Sequence, residues 1–150
     1  MRRLVVITAL AAAVFVAGEI QAQGGPKSVW EGVYTEAQAE RGKTAYTASC
    51  ASCHGPDLAG GGEASPLAGP EFLAGWNGLP VAELFERART TMPIQAPGSL
   101  DPAAYADILA YMLKVSGLPA GQAELAPRGE ALSGIRIDAV KPTAGAPTAP

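Results

Sequence analysis

The chain has 150 residues, of which 48% are hydrophobic and 17% charged, so it can form one ordinary domain with extensions but not a multidomain enzyme. Its 18 glycines and 13 prolines predict many loops, and its formal charge of −3 provides no basic surface for nucleic acid. Because only 6% of the residues are aromatic, a small domain of this composition is expected to need a further source of stability.

The N-terminus is predicted to be a secretory signal peptide. Arg2 and Arg3 precede an uncharged, hydrophobic run at residues 4–18, which is shorter than the roughly 20 apolar residues of a membrane span. We place the cleavage after Ala22, so that residues 1–22 are removed and the mature chain has no membrane span. An uncleaved anchor is the alternative. The expected location is the periplasm.

The mature chain is predicted to begin with an aperiodic lead-in segment, residues 23–34, followed by a first helix. Thr35 is the expected N-cap of that helix, and Gln38 occupies the capping-box position. Gly42 inside the helix indicates that another helix approaches it closely. Residues 55–78 are rich in Gly and Pro, so we expect a long loop wrapped around some other group.

Two further helices are predicted in the second half of the chain. One follows Pro80 and ends before Met92. The last helix has Asp101 as N-cap, Pro102 in its first turn and Gly117 just beyond its end. It carries an apolar stripe made of Tyr105, Ile108, Leu109, Met112 and Val115. The predicted fold class is therefore all-α, with three or four helices.

The predicted domain spans residues 35–118, and residues 119–150 form an extension rich in Ala, Pro and Gly. Within this extension, residues 132–137 are a candidate for docking against the domain as a short extended piece. Residues 141–150 are predicted to be disordered, because they lack large apolar side chains.

Both cysteines and the only histidine occur in one run, Cys50-Ala51-Ser52-Cys53-His54. The pattern C-x-x-C-H is the attachment signature of a c-type haem. Two thiols three residues apart on a helical turn can reach the two vinyl groups of the macrocycle, and the adjacent imidazole then lies under the iron.

Other interpretations of the cysteines are a structural disulfide, a thioredoxin-type redox pair and half of a zinc site. A zinc site would need a second cluster of ligands, which the sequence lacks. A thioredoxin-type pair follows a buried strand, whereas Cys50 ends an amphipathic helix. A disulfide leaves His54 and the long loop unexplained. Haem attachment is therefore the favoured prediction.

The sixth iron ligand decides between electron transfer and the binding of small ligands. Met92 lies at a helix end before Pro93, where the chain can present its thioether to the face opposite His54. Filling a gap in the core is the alternative role for Met92, and it is the expected role of Met112 in the last helix. We predict ligation by His54 and Met92.

These residues resemble a class I monohaem c-type cytochrome, and the resemblance covers residues 35–117. It implies the cytochrome c fold, in which helices and long loops surround a covalently attached haem. Cys50 and Cys53 would form the thioether bonds, and His54 and Met92 would bind the iron. The resemblance also implies contacts between the first and last helices through Gly42, Tyr46, Ile108 and Tyr111.

The resemblance implies further residues around the haem. Pro66 resembles the proline whose carbonyl accepts a hydrogen bond from the proximal imidazole, and Leu67 would lie beside the ring. Pro56 is the alternative, but it is too close to His54 in sequence to bend back under it. Trp76 resembles an indole near the haem propionates, with plain core packing as the alternative.

Residues 89–93, 105–111 and 117–121 also resemble the cytochrome modules associated with quinoprotein alcohol dehydrogenases. The expected function is a periplasmic electron carrier, not an enzyme, which accepts one electron from a dehydrogenase and passes it to a terminal oxidase or another cytochrome. It would act as a monomer or in transient complexes with these redox partners. The alternatives are a haem subunit of a permanent dehydrogenase complex and a haem module that binds a small ligand at an open sixth position.

Overall fold

The computed structural model describes residues 27–62 and 64–143. The predicted signal peptide lies outside these residues, as does most of the segment predicted to be disordered. The described residues are mainly helical, which confirms the all-α prediction, but they form six helices rather than three or four, two of them only four residues long. The helices are α1 (Glu36–Ser49), α2 (Ala51–His54), α3 (Gly69–Gly75), α4 (Val81–Thr91), α5 (Pro102–Val115) and α6 (Gly129–Leu132). None of them is long and apolar enough to span a membrane.

Helices α1 and α5 pack against each other in the centre of the fold, as the sequence predicts. Thr35 caps α1 by accepting a hydrogen bond from the Gln38 backbone N–H, and Asp101 caps α5 by accepting one from Ala103. A Cβ placed on Gly42 would overlap the Asp107 backbone, so a glycine is needed for this contact. The predicted stripe of α5 is buried except at its end, where Val115 is 40% exposed.

The prediction that residues 55–78 form one long loop is wrong, because this segment contains α3. The helix begins with Gly69 and Pro70 and ends at Gly75, so its sequence has almost no helical periodicity. It is stabilised by packing, since Phe72 and Leu73 are both 4% exposed and belong to the hydrophobic core. Tertiary contacts therefore override a weak local preference.

The N-terminal segment pairs with the C-terminal extension. Strand β1 (Lys27–Ser28) lies parallel to strand β2 (Ile135–Arg136), which confirms the predicted extended piece over those two residues. Trp30, to which the sequence assigns no role, donates a hydrogen bond from Nε1 to the Asp138 carbonyl at 2.9 Å. The lead-in segment is therefore not only coil, and its described part includes a short 3₁₀ helix, Val29–Glu31.

The extension also contributes to the core. Leu125, Leu132 and Ile137 are at most 2% exposed and join the same cluster as Val29. Gln38 does not complete the predicted capping box. Its buried amide instead donates to the Leu125 carbonyl at 3.0 Å and accepts from the Leu125 N–H at 2.8 Å. An amide suits this position because it can satisfy a donor and an acceptor together.

Candidate functional site

One cavity of about 1460 Å³ lies between α2, α3, α4, α5 and the loops that join them. Its walls are mostly apolar and include Phe72, Leu84, Leu100 and Ile108. The structure brings together around it every residue for which the sequence suggests a role in binding: Cys50, Cys53, His54, Pro66, Leu67, Trp76 and Met92.

The two cysteines are placed on one helical turn where α1 gives way to α2. The carbonyl of Cys50 accepts hydrogen bonds from the backbone N–H groups of Cys53 and His54, at 3.1 and 3.0 Å. Both thiols are free; Cys50 is half-buried and Cys53 is exposed. Burial and the neighbouring Cys53 raise the pKa of the Cys50 thiol. The turn thus presents two thiols at the cavity, in the order that the attachment signature requires.

His54 is oriented by a backbone carbonyl. Its Nδ1 lies 2.9 Å from the carbonyl oxygen of Ser65. A carbonyl can only accept a hydrogen bond, so Nδ1 must carry the proton of the neutral ring. The lone pair of Nε2 is therefore available to a metal ion.

The acceptor is one residue earlier than predicted, and the assignment of this role to Pro66 is wrong. The resemblance identifies the turn that approaches the imidazole, but adjacent carbonyls in extended backbone point in different directions, so a shift of one residue changes the acceptor. Gly60 lets this turn close tightly. It has a φ of +80°, and a Cβ there would lie 2.5 Å from the Ala64 carbonyl oxygen. Pro66 still lines the cavity.

Met92 is the C-cap of α4 and is held through its backbone. Its N–H donates to the Ala88 carbonyl at 2.9 Å, and its own carbonyl accepts a hydrogen bond from the Tyr105 hydroxyl at 2.6 Å. Met92 is 37% exposed at the cavity, whereas Met112 is 3% exposed within α5, although it also lines the cavity. Burial of Met112 agrees with the core role predicted for it.

Tyr105 is a residue whose role at the site the sequence did not reveal. Its position on the stripe of α5 predicts only that it is buried, which it is, at 2% exposed. Its hydroxyl nevertheless fixes the backbone of Met92, and no local pattern marks that contact. A buried tyrosine hydroxyl needs a hydrogen-bond partner, and that need is the one signal that the sequence contains.

The side chains around the cavity fit a covalently attached haem. The wall is apolar, two thiols and an oriented imidazole lie together on one side, and a methionine thioether is available on a separate element. These are the donor types found in c-type haem sites. Within residues 27–62 and 64–143, no group of three or more His, Cys, Asp or Glu side chains is arranged to hold a metal ion, so the zinc alternative finds no ligand set there.

A comparison with known families agrees with this donor set. Residues 37–112, about half of the chain, match the family model described as cytochrome c oxidase, cbb3-type, subunit III. The matched region begins in α1, ends in α5 and includes the two cysteines, His54 and Met92. Among curated proteins and among solved structures, none matches the chain.

Proposed function

The chain belongs to the c-type cytochrome family described as cytochrome c oxidase, cbb3-type, subunit III, and on this basis we propose that it is a periplasmic one-electron carrier with His/Met-ligated iron. Membership of the family makes it a haem-containing electron-transfer protein rather than an enzyme, with haem c bound covalently through Cys50 and Cys53. The ligation, the location and the partners are the proposed parts.

The observation that carries the proposal is the hydrogen bond between His54 Nδ1 and the Ser65 carbonyl. It fixes the tautomer and the orientation of the imidazole, and it raises the basicity of Nε2 toward iron. Met92 lines the same cavity from the end of α4, where the Tyr105 hydroxyl holds its backbone carbonyl, and its thioether would be the second ligand of the iron.

The bound haem supplies an iron that changes between the ferrous and ferric states. The chain's own residues determine how readily it does so. A thioether ligand and an apolar wall that includes Leu67, Phe72 and Ile108 both raise the potential, because neither favours the additional positive charge of ferric iron. If His54 and Met92 both bound the iron, no position would remain open for a small molecule, as the alternative function requires.

The proposed location rests on the N-terminal pattern of Arg2 and Arg3 followed by an apolar run. The proposed partners are a dehydrogenase as donor and a terminal oxidase or another cytochrome as acceptor. Leu79 and Ile94 line the cavity and are 37% and 70% exposed, and they are the contacts proposed for a redox partner.

Optical spectra of the haem-containing protein in the ferric and ferrous states test the ligation. We expect the parent to show a weak near-infrared sulfur-to-iron band in the ferric state and no binding of carbon monoxide in the ferrous state. Met92→Ala should lose the band, bind carbon monoxide and have a lower potential. Met112→Leu is the matched control and should retain the band.

The reverse pattern in the two variants would show that Met112 is the ligand. Binding of carbon monoxide by the parent itself would favour the small-ligand module. Location is tested separately, by fractionating cells and asking whether the haem-containing protein lacks residues 1–22 and is released with the periplasm.

A further inference from the structure

Helix α4 presents one continuous face to the cavity. Leu84, Arg87, Ala88 and Thr91 all line it, and their spacing of three and four residues places them on the same side of the helix. Three of these side chains are apolar or small and uncharged, and Arg87 is the exception. Arg87 is exposed where it lines the cavity, so its guanidinium can reach an anionic group of a bound molecule there.

Few titratable side chains line the cavity. The titratable side chains that line it are Cys50, Cys53 and His54 near α2, Glu83, Glu86 and Arg87 on α4, and Tyr105 on α5. Arg87 is therefore the only Lys or Arg among the described lining residues. Glu86 is already paired with Arg89, whose guanidinium lies 2.6 Å away.

Arg87 has no carboxylate partner in the part of the chain that the structure describes. The ion pairs there use Arg41, Arg89, Lys114 and Arg136, but not Arg87. The two glutamates of the cavity wall would repel a bound carboxylate, whereas Arg87 would attract it. A haem brings two propionate groups, and an exposed guanidinium at the cavity can pair with one of them.

We propose that Arg87 binds a haem propionate through its guanidinium group. This inference rests on the covalent haem of the proposed function. An arginine suits the task, because its planar fork can donate two parallel hydrogen bonds to one carboxylate. Arg87 is thus a positioning residue that neutralises the cofactor's charge at the cavity and thereby contributes to the potential.

Carbon-13 NMR of the ferrous holoprotein, with haem labelled at the propionate carboxyls, tests the pairing directly. An unpaired carboxyl titrates at a pH of about 4 to 5. In the parent, we expect one of the two carboxyl signals to titrate at a pH lower by up to about 1, since the guanidinium favours the ionised form but is exposed to solvent. In Arg87→Gln that signal should return to the ordinary range, and the midpoint potential at pH 7 should fall.

Lys43→Gln is the matched control, because it removes the same charge from α1 at an exposed position that does not line the cavity. The propionate carboxyls of Lys43→Gln should titrate as they do in the parent. In Arg87→Lys, the shifted carboxyl should titrate at a pH between those of the parent and Arg87→Gln, because a lysine keeps the charge but lacks the planar fork of the guanidinium.

The proposal is overturned if both propionates of the parent titrate in the ordinary range, or if Arg87→Gln leaves both titrations unchanged. The parent measurement decides the matter even if Arg87→Gln incorporates no haem. Failure of the proposed function would appear differently, as a parent protein without covalently bound haem or without the sulfur-to-iron band.

Discussion

Gly42 of α1 lies directly against the backbone carbonyl of Asp107 in α5, and a Cβ on Gly42 would overlap that carbonyl. Tyr46, one turn later, contacts Tyr111 of α5 with ring centroids 5.6 Å apart. The two helices can thus approach closely because Gly42 has no side chain and because, one turn later, Tyr46 packs against Tyr111. This contact determines where α5 places Tyr105, and through it the backbone of Met92.

Gly42→Ala should therefore destabilise the protein, although alanine has the higher helix propensity. The nearest atoms are backbone, so the helices must separate, and overpacking of this kind costs about 1–3 kcal/mol or more. Denaturant unfolding of the holoprotein measures the effect. Gly134→Ala is the control, because a Cβ there meets nothing within 4 Å. Equal stability of the two variants would contradict the importance of this helix contact.

Gln38 connects α1 to the C-terminal extension by two hydrogen bonds to Leu125. Gln38→Ala should leave the N–H and the carbonyl of Leu125 without these partners, at a cost of about 1–3 kcal/mol for each group that stays buried. The free energy of unfolding should fall accordingly, while the optical spectrum stays unchanged. Gln122→Ala removes an exposed glutamine from the same extension and should have little effect. A similar loss of unfolding free energy in both variants would show that the hydrogen bonds between Gln38 and Leu125 do not cause it.

Truncation after Leu118 should lower the melting temperature without changing the axial ligands. It removes Leu125, Leu132 and Ile137, and burying each such side chain is worth at most about 1.5–3 kcal/mol. Truncation after Thr143 is the control, since it removes none of the contacts that the structure describes. An unchanged melting temperature after the longer truncation would show that the extension does not stabilise the domain.

The parts of the fold that the sequence predicts are those with strong local patterns. The N-caps Thr35 and Asp101 and the stripe of α5 mark the two central helices, and the attachment signature marks the haem site without any tertiary information. The close approach at Gly42 is also predictable, because a glycine inside a helix weakens it unless a neighbour needs the space.

The parts that the sequence does not predict depend on contacts between distant residues. Helix α3 has no usable periodicity and forms because Phe72 and Leu73 pack into the core. The hydrogen bond from Trp30 to Asp138 joins opposite ends of the chain, and no local rule identifies such partners. The carbonyl of Ser65 was missed for a related reason, since a resemblance locates a turn but not which carbonyl in it faces His54.

The last prediction concerns alkaline pH and Tyr46. This side chain is 1% exposed, and its hydroxyl donates a hydrogen bond to the Gly55 carbonyl at 2.6 Å, immediately after His54. Burial, followed by the charges of Cys50, Tyr111 and Asp57, raises the pKa of Tyr46 to about 12. Cys50 carries no thiolate charge once it is bonded to haem, but burial is the largest cause, so the direction of the shift stays the same.

In the unfolded chain, Tyr46 has an ordinary pKa of about 10. Below that pH the hydroxyl is protonated in both states, and its contribution to stability is fully present. Between about pH 10 and 12 the unfolded chain releases a proton that the folded protein retains, so the free energy of unfolding falls by up to about 1.4 kcal/mol per pH unit.

Unfolding by denaturant at a series of pH values from 8 to about 11.5 measures this slope. Tyr46→Phe should be less stable than the parent at pH 8, because it lacks the hydrogen bond to Gly55, and its stability should fall less steeply above pH 10. Tyr111→Phe keeps the Tyr46 hydroxyl and should keep the steep slope, so parallel curves for the parent and Tyr46→Phe would show that another group controls the alkaline loss of stability.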